Sequence, residues 1–172
     1  MTAATGAWAQ SATWTLNAYG DLQTGDSVVI VDKTSSCAMP NNNGTGSAPS
    51  AVSVTLSGDQ NTLANEPAAN LKWVVTNNNG VYKFRLPGSE DNYLYNTNTN
   101  NGVRVGTNSA NQFGFETGGT NNVPFLKNSS NSRYIGVYNN SDRRCYNTIH
   151  DNIKNTVTAF YKWTAASGWQ PR

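Results

Sequence analysis

Apolar residues fall in short bursts along this chain, bounded by Gly, Pro, Asn, Asp or Ser, the pattern of brief β-strands joined by tight turns. A fourfold series of such bursts occurs three times. In the first series Val28 to Val31 (VVIV) predicts a buried strand, Cys37 to Met39 starts a second, Ala51 to Leu56 (AVSVTL) alternates as a third, and Leu71 to Val75 (LKWVV) is a fourth. The second series is Val81 to Leu86, Tyr93 to Tyr95, Val103 to Val105 and Phe113 to Phe115. The third is Val123 to Leu126, Tyr134 to Tyr138, Arg144 to Asn147 and Val157 to Trp163. Turn-forming segments recur in matching places: Lys33 to Ser36, Gly88 to Asn92 and Asn128 to Ser132 after each first strand, and Pro40 to Gly46, Asn96 to Gly102 and Asn139 to Arg143 after each second. Trp73, Phe115 and Phe160 are expected at equivalent fourth-strand positions, all mostly buried.

Twelve short strands in three fourfold units resemble the β-trefoil superfamily over most of residues 26 to 163. That resemblance implies an all-β fold with a six-stranded barrel closed at one end by three hairpins, an architecture that removes exposed strand edges. The Gln-x-Trp signature of ricin-type lectin repeats is missing. An OB-like barrel or a β-sandwich fits strands of this spacing as well, and only the threefold register favours the trefoil.

Composition supports the strand reading. Asn, Thr, Ser and Gly make up roughly 44% of the chain and Asn alone about 15%, and side chains that hydrogen-bond their own backbones disfavour helices. With 5 Trp, 8 Tyr and 5 Phe there is ample apolar surface to bury, which argues against disorder. A net charge of +2 is too small for the footprint of nucleic-acid binding, and no apolar run is long enough for a membrane insertion. One His and two Cys leave most metal and nucleophile chemistry short of parts, so no cofactor or metal is expected.

Ala7-Trp8-Ala9 fits the small-x-small pattern before a signal-peptidase cut, so residues 1–9 are expected to be a signal-peptide remnant or a disordered tail, and residues 10–172 one trefoil-like domain. The stretch Trp14 to Val31 and the ending from Tyr134 to Trp163 are similar to Asn-rich β modules of secreted gut-bacterial surface proteins. This resemblance implies a secreted or cell-surface location and a binding or accessory role, with no catalytic residue carried across. In an oxidising compartment Cys37 and Cys145 either pair or remain small buried hydrophobes.

Three local features invite chemistry and favour a plainer reading. His150 beside Asp151 has no partner nucleophile that spacing certifies and reads as a surface or capping residue. Cys145, next to Arg143 and Arg144, lacks a visible base and reads as structural. Glu90 and Asp91 are too few for calcium and read as a solvated turn. The chain is therefore expected not to be an enzyme.

The loops between second and third strands carry more. There an aromatic or Met precedes Asn, and a flat apolar face beside an amide suits the C–H surface and hydroxyls of a sugar. Tyr138, Asn139, Asp142 and Arg143 form the richest of these loops, followed by Tyr95, Asn96 and Asn98, and then Asn41. The expected function is a secreted, non-catalytic, lectin-like carbohydrate-binding module, acting as a monomer on a glycan with no nucleic-acid partner. The alternative is a protein-interaction domain, a protease inhibitor or adhesin, whose partner would be a host or cell-surface protein.

Overall fold

The computed structural model describes residues 13–165; the expected signal remnant lies outside them. The described residues form thirteen strands: β1 (Thr13–Asn17), β2 (Ser27–Asp32), β3 (Cys37–Ala38), β4 (Val52–Ser53), β5 (Trp73–Asn78), β6 (Val81–Arg85), β7 (Tyr93–Asn96), β8 (Val103–Gly106), β9 (Phe113–Gly118), β10 (Val123–Asn128), β11 (Tyr134–Tyr138), β12 (Asp142–Tyr146) and β13 (Thr158–Thr164). Two short 3-10 turns, Tyr19–Asp21 and Ala69–Leu71, are the only helical elements among the described residues. Every strand pairing is antiparallel.

Six strands lie side by side in the order β13-β2-β5-β6-β9-β10, and a hairpin branches from every second one: β3–β4 from β2, β7–β8 from β6, and β11–β12 from β10. Closure of this row into a barrel is incomplete. One edge of β13 pairs with β2, and the other pairs with β1 from Phe160 to Thr164. β1 thereby takes the edge that β10 would need, and β10 approaches β13 without a hydrogen-bonded register. The sheet is open at this seam, whereas the sequence predicted a closed barrel and no strand before Val28.

Period-two alternation explains the core. Along β2, Val28 and Ile30 enter the main cluster with Trp73, Phe84, Phe113 and Phe160, while Val29 and Val31 enter a second cluster with Trp14, Leu71 and Tyr161. The strand is buried on both faces, hence the unbroken VVIV run. Trp73 is fully buried with its indole N–H donated to the Met39 carbonyl at 3.0 Å, and Phe160 is buried in the same cluster, stacked on Phe84. Phe115 departs from expectation. Phe113 holds the deep position in β9, and Phe115 is only half-buried, stacked on Tyr19 with ring centroids 4.0 Å apart.

Cys37 and Cys145 are both buried and both free. Burial pushes the Cys145 thiol up from its ordinary pKa, and the thiol donates to the Thr99 carbonyl. It is packed as a small hydrophobe, far from a reactive thiolate.

Candidate functional site

The β11–β12 turn follows from its sequence. Ser141 N–H donates to the Tyr138 carbonyl at 2.9 Å, and Asn139 and Asn140 between them both have φ 52°. Two successive left-handed residues make a type I′ hairpin turn, which Asn tolerates better than any other side-chain-bearing residue. Both Asn side chains are exposed. Tyr138 is half-buried, and the Arg144 guanidinium lies 4.5 Å from its ring centroid. Asp142 accepts from Arg144 Nε at 2.8 Å, and this bond raises the guanidinium pKa. Tyr138, Asp142 and Arg144 thus engage one another, with one face of the ring already covered.

The other expected binding residues are placed differently, and four of the eight are buried. Arg143 is 1% exposed, its Nη2 donating to the Cys37 carbonyl at 3.2 Å and its Nε without a partner. Burial lowers its pKa, against the opposing pull of Cys37 and Asp32. Successive strand residues face opposite ways, so Arg144 points out and Arg143 points in with Cys145. Asn41 is buried and donates to the Ala69 and Lys72 carbonyls. Tyr95 is buried, as is Asn96, whose amide donates to Asn131 Oδ1 at 3.0 Å and accepts from Asn128 at 2.8 Å. These four side chains are packed into the fold, and of them only Asn41 borders a shallow surface depression, with Ala69, Asn70, Leu86 and Pro87. Asn98 is exposed, but its Oδ1 accepts from Arg133 Nε at 2.9 Å.

Asn139 instead joins residues that no local reading brings together. A cleft of about 280 Å³ lies between the β2–β3 turn (Asp32, Thr34, Ser35), the end of β11 (Val137, Asn139, Asn140) and the loop before β13 (Asp151, Asn152, Asn155, Thr156). Its frame is tightly bonded. Asp32, 3% exposed, accepts the N–H groups of Thr34 and Val157 and the Ser35 hydroxyl. Thr34 donates its hydroxyl to the Asn155 carbonyl at 2.7 Å, and Thr156 Oγ1 accepts the Val137 N–H at 2.9 Å. Gly136 lets the loop close in: a Cβ there would stand 2.6 Å from Ile153 Cβ and 2.8 Å from Thr156 Oγ1.

His150 braces the same loop. Its Nδ1 accepts the Asn152 N–H at 2.9 Å and its ring stacks on Tyr146 at 4.4 Å, the capping role expected of it. Above this frame the groups are free. The side-chain amides of Asn139, Asn140 and Asn155 make no hydrogen bond among the described residues, and the Asp151 carboxylate is 87% exposed, 3.6 Å from Lys154. No cluster of three or more metal-ligating side chains occurs among the described residues. The signal that could have pointed here is the turn-rich stretch His150 to Asn155, read above only for its histidine.

A second concavity differs in character. At the open seam an apolar slot of about 290 Å³ is lined by Leu16, Tyr19, Phe115, Pro124 and Phe160 among others.

No protein-family model and no curated protein matches the chain. Solved structures do. A GH43 β-1,3-galactosidase aligns with TM-score 0.57 and 14% identity over 92% of this chain and 32% of its own. A Polyporus squamosus lectin bound to a human-type influenza-binding epitope aligns with TM-score 0.53 and 14% identity over 84% of this chain and 49% of its own. SeviL, bound to asialo-GM1 saccharide, aligns with TM-score 0.51 and 13% identity over 78% of this chain and 97% of its own. The chain spans about a third of the galactosidase and half of the Polyporus lectin. At these identities the likeness is one of fold, a β-rich fold of the kind lectins use.

Proposed function

We propose that this chain is a secreted, non-catalytic, lectin-like module that binds a glycan in the cleft between the β2–β3 turn, the β11–β12 turn and the loop before β13. The observation that carries the reading is the convergence of three unengaged carboxamides, Asn139, Asn140 and Asn155, on a rigid polar cleft. An amide offers a donor pair and an acceptor at fixed spacing, which suits vicinal hydroxyls. Two of the similar structures were solved with saccharides bound, which supports the ligand class. A β-trefoil remains the finer reading of the fold. It is supported by the three hairpin branches and by Asp32 and Asn128, which end β2 and β10, are both buried, and each accept the N–H two residues on.

No aromatic ring among the described residues lines the cleft, so binding rests on hydrogen bonds. At about −0.3 kcal/mol per non-hydrogen atom, a single hexose of roughly twelve such atoms gives about −4 kcal/mol, a millimolar Kd. A glycan array followed by calorimetry tests the reading, and no saturable binding at millimolar sugar removes it. Secretion is tested separately, by fractionating the native producer and sequencing the N-terminus of the exported chain.

The apolar slot favours a second reading, a protein-interaction surface, because Tyr19 on its rim is 37% exposed. Loss of a captured cell-surface protein or protease in Tyr19→Ala would support it.

A further inference from the structure

Resting on the glycan reading, we propose that the cleft selects uncharged glycan ends over acidic ones and that Asp151 is the specificity-determining residue. Among the described residues two carboxylates line the cleft, those of Asp32 and Asp151, and no Lys or Arg does. Asp32 is buried, with both its oxygens engaged by hydrogen bonds from Thr34, Ser35 and Val157, so it presents little free charge to the cleft. Asp151 is different. It stands in solvent, and its one cationic neighbour, Lys154, is a loose contact at 3.6 Å with both side chains largely exposed.

A sugar hydroxyl can donate to the Asp151 carboxylate and receive from the neighbouring amides. A sialic, uronic or sulfated end brings a second negative charge and meets no cation among the lining residues, Lys154 being already shared with Asp151. Two unit charges about 4 Å apart in bulk water disfavour each other by roughly fivefold in affinity. The effect weakens with salt because the Debye length falls from about 10 Å at 0.1 M to about 3 Å at 1 M.

The experiment uses the whole chain and matched saccharide pairs that differ in charge, each uronic-acid oligosaccharide beside its carboxyl-reduced counterpart, titrated by calorimetry at low and high salt. The expected result is about fivefold tighter binding of the reduced member at low salt, a gap that narrows at 1 M salt and closes in Asp151→Asn. Asp151→Asn keeps an oxygen at the same place, and its melting temperature checks that the loop is intact. Equal or tighter binding of the acidic member, or a gap unchanged in Asp151→Asn, overturns the selectivity while leaving glycan binding standing. Absence of binding by every saccharide in wild type overturns the glycan reading and the selectivity together.

Discussion

Asp32, the last residue of β2, accepts the backbone N–H of Val157 at 2.9 Å across 125 positions of sequence, and so ties the loop before β13 to the β2–β3 turn. Its second oxygen accepts the Ser35 hydroxyl at 2.7 Å. Asp32→Ala strips two N–H groups and a hydroxyl of their acceptor. We expect a loss of about 2 to 4 kcal/mol in chemical denaturation, the cost of leaving buried donors unsatisfied, and a smaller loss in Asp32→Asn. A change under 1 kcal/mol in the Ala variant would show that the frame does not depend on this residue.

The binding surface is carried by amides, not by the Tyr138 ring. Asn139→Ala and Asn155→Ala should each weaken glycan binding about fivefold, the worth of a typical hydrogen bond, with melting temperature nearly unchanged. Tyr138→Ala loses a cation–π contact with Arg144, worth about 0.5 to 1 kcal/mol at an exposed site, and should change stability by that amount with little effect on binding. A selective binding defect in Tyr138→Ala would restore the stacking role expected from sequence.

Gly136→Ala tests the closeness of the loop. The new methyl would meet Ile153 and Thr156 below normal contact distance, so the loop must move outward at a cost of about 1 to 3 kcal/mol. Thermal unfolding reads the cost, and weakened glycan binding reads the widened cleft. An unchanged melting temperature would mean that the loop yields freely.

Acid should destabilise the fold through two glutamates. Hydrogen bonds from Lys72 and Trp14 lower the pKa of Glu66, and bonds from Tyr134 and Lys127 lower that of Glu116, both below the ordinary 4.5. A carboxylate whose pKa is depressed on folding contributes stability that is fully present above its unfolded value and is lost as pH falls through its folded value. Denaturation midpoints should therefore fall as pH drops below about 4.5, and Glu66→Gln with Glu116→Gln should flatten that fall. An equal slope in the double variant would place the acid sensitivity elsewhere.

What was legible in the sequence is what is local. The VVIV run, the Tyr93 and Tyr134 strands and the Asn-rich hairpin turns each carry their own signal, because alternation and turn chemistry act over a few residues. β1 was missed although Trp14 and Leu16 alternate, since its partner β13 lies at the far end of the chain. Arg143 was misplaced because the strand was begun at Arg144. Begun at Asp142, as in the structure, the period of two sets Arg143 facing inward with Cys145. The cleft was invisible for a different reason. Asp32, Asn139 and Asn155 sit on three separate turns, and only the pairing of β2 with β13 and of β11 with β12 brings those turns together.

The most direct test of the cleft as the glycan site is an NMR titration of the labelled chain with a neutral oligosaccharide at about 20 mM, well above a millimolar Kd. Saturable shifts of the side-chain amides of Asn139, Asn140 and Asn155, with the backbone around Asp151, are the predicted result. Shifts confined to the slot around Tyr19 and Phe115, or spread over the loops of Asn98 with these amides unmoved, would contradict it.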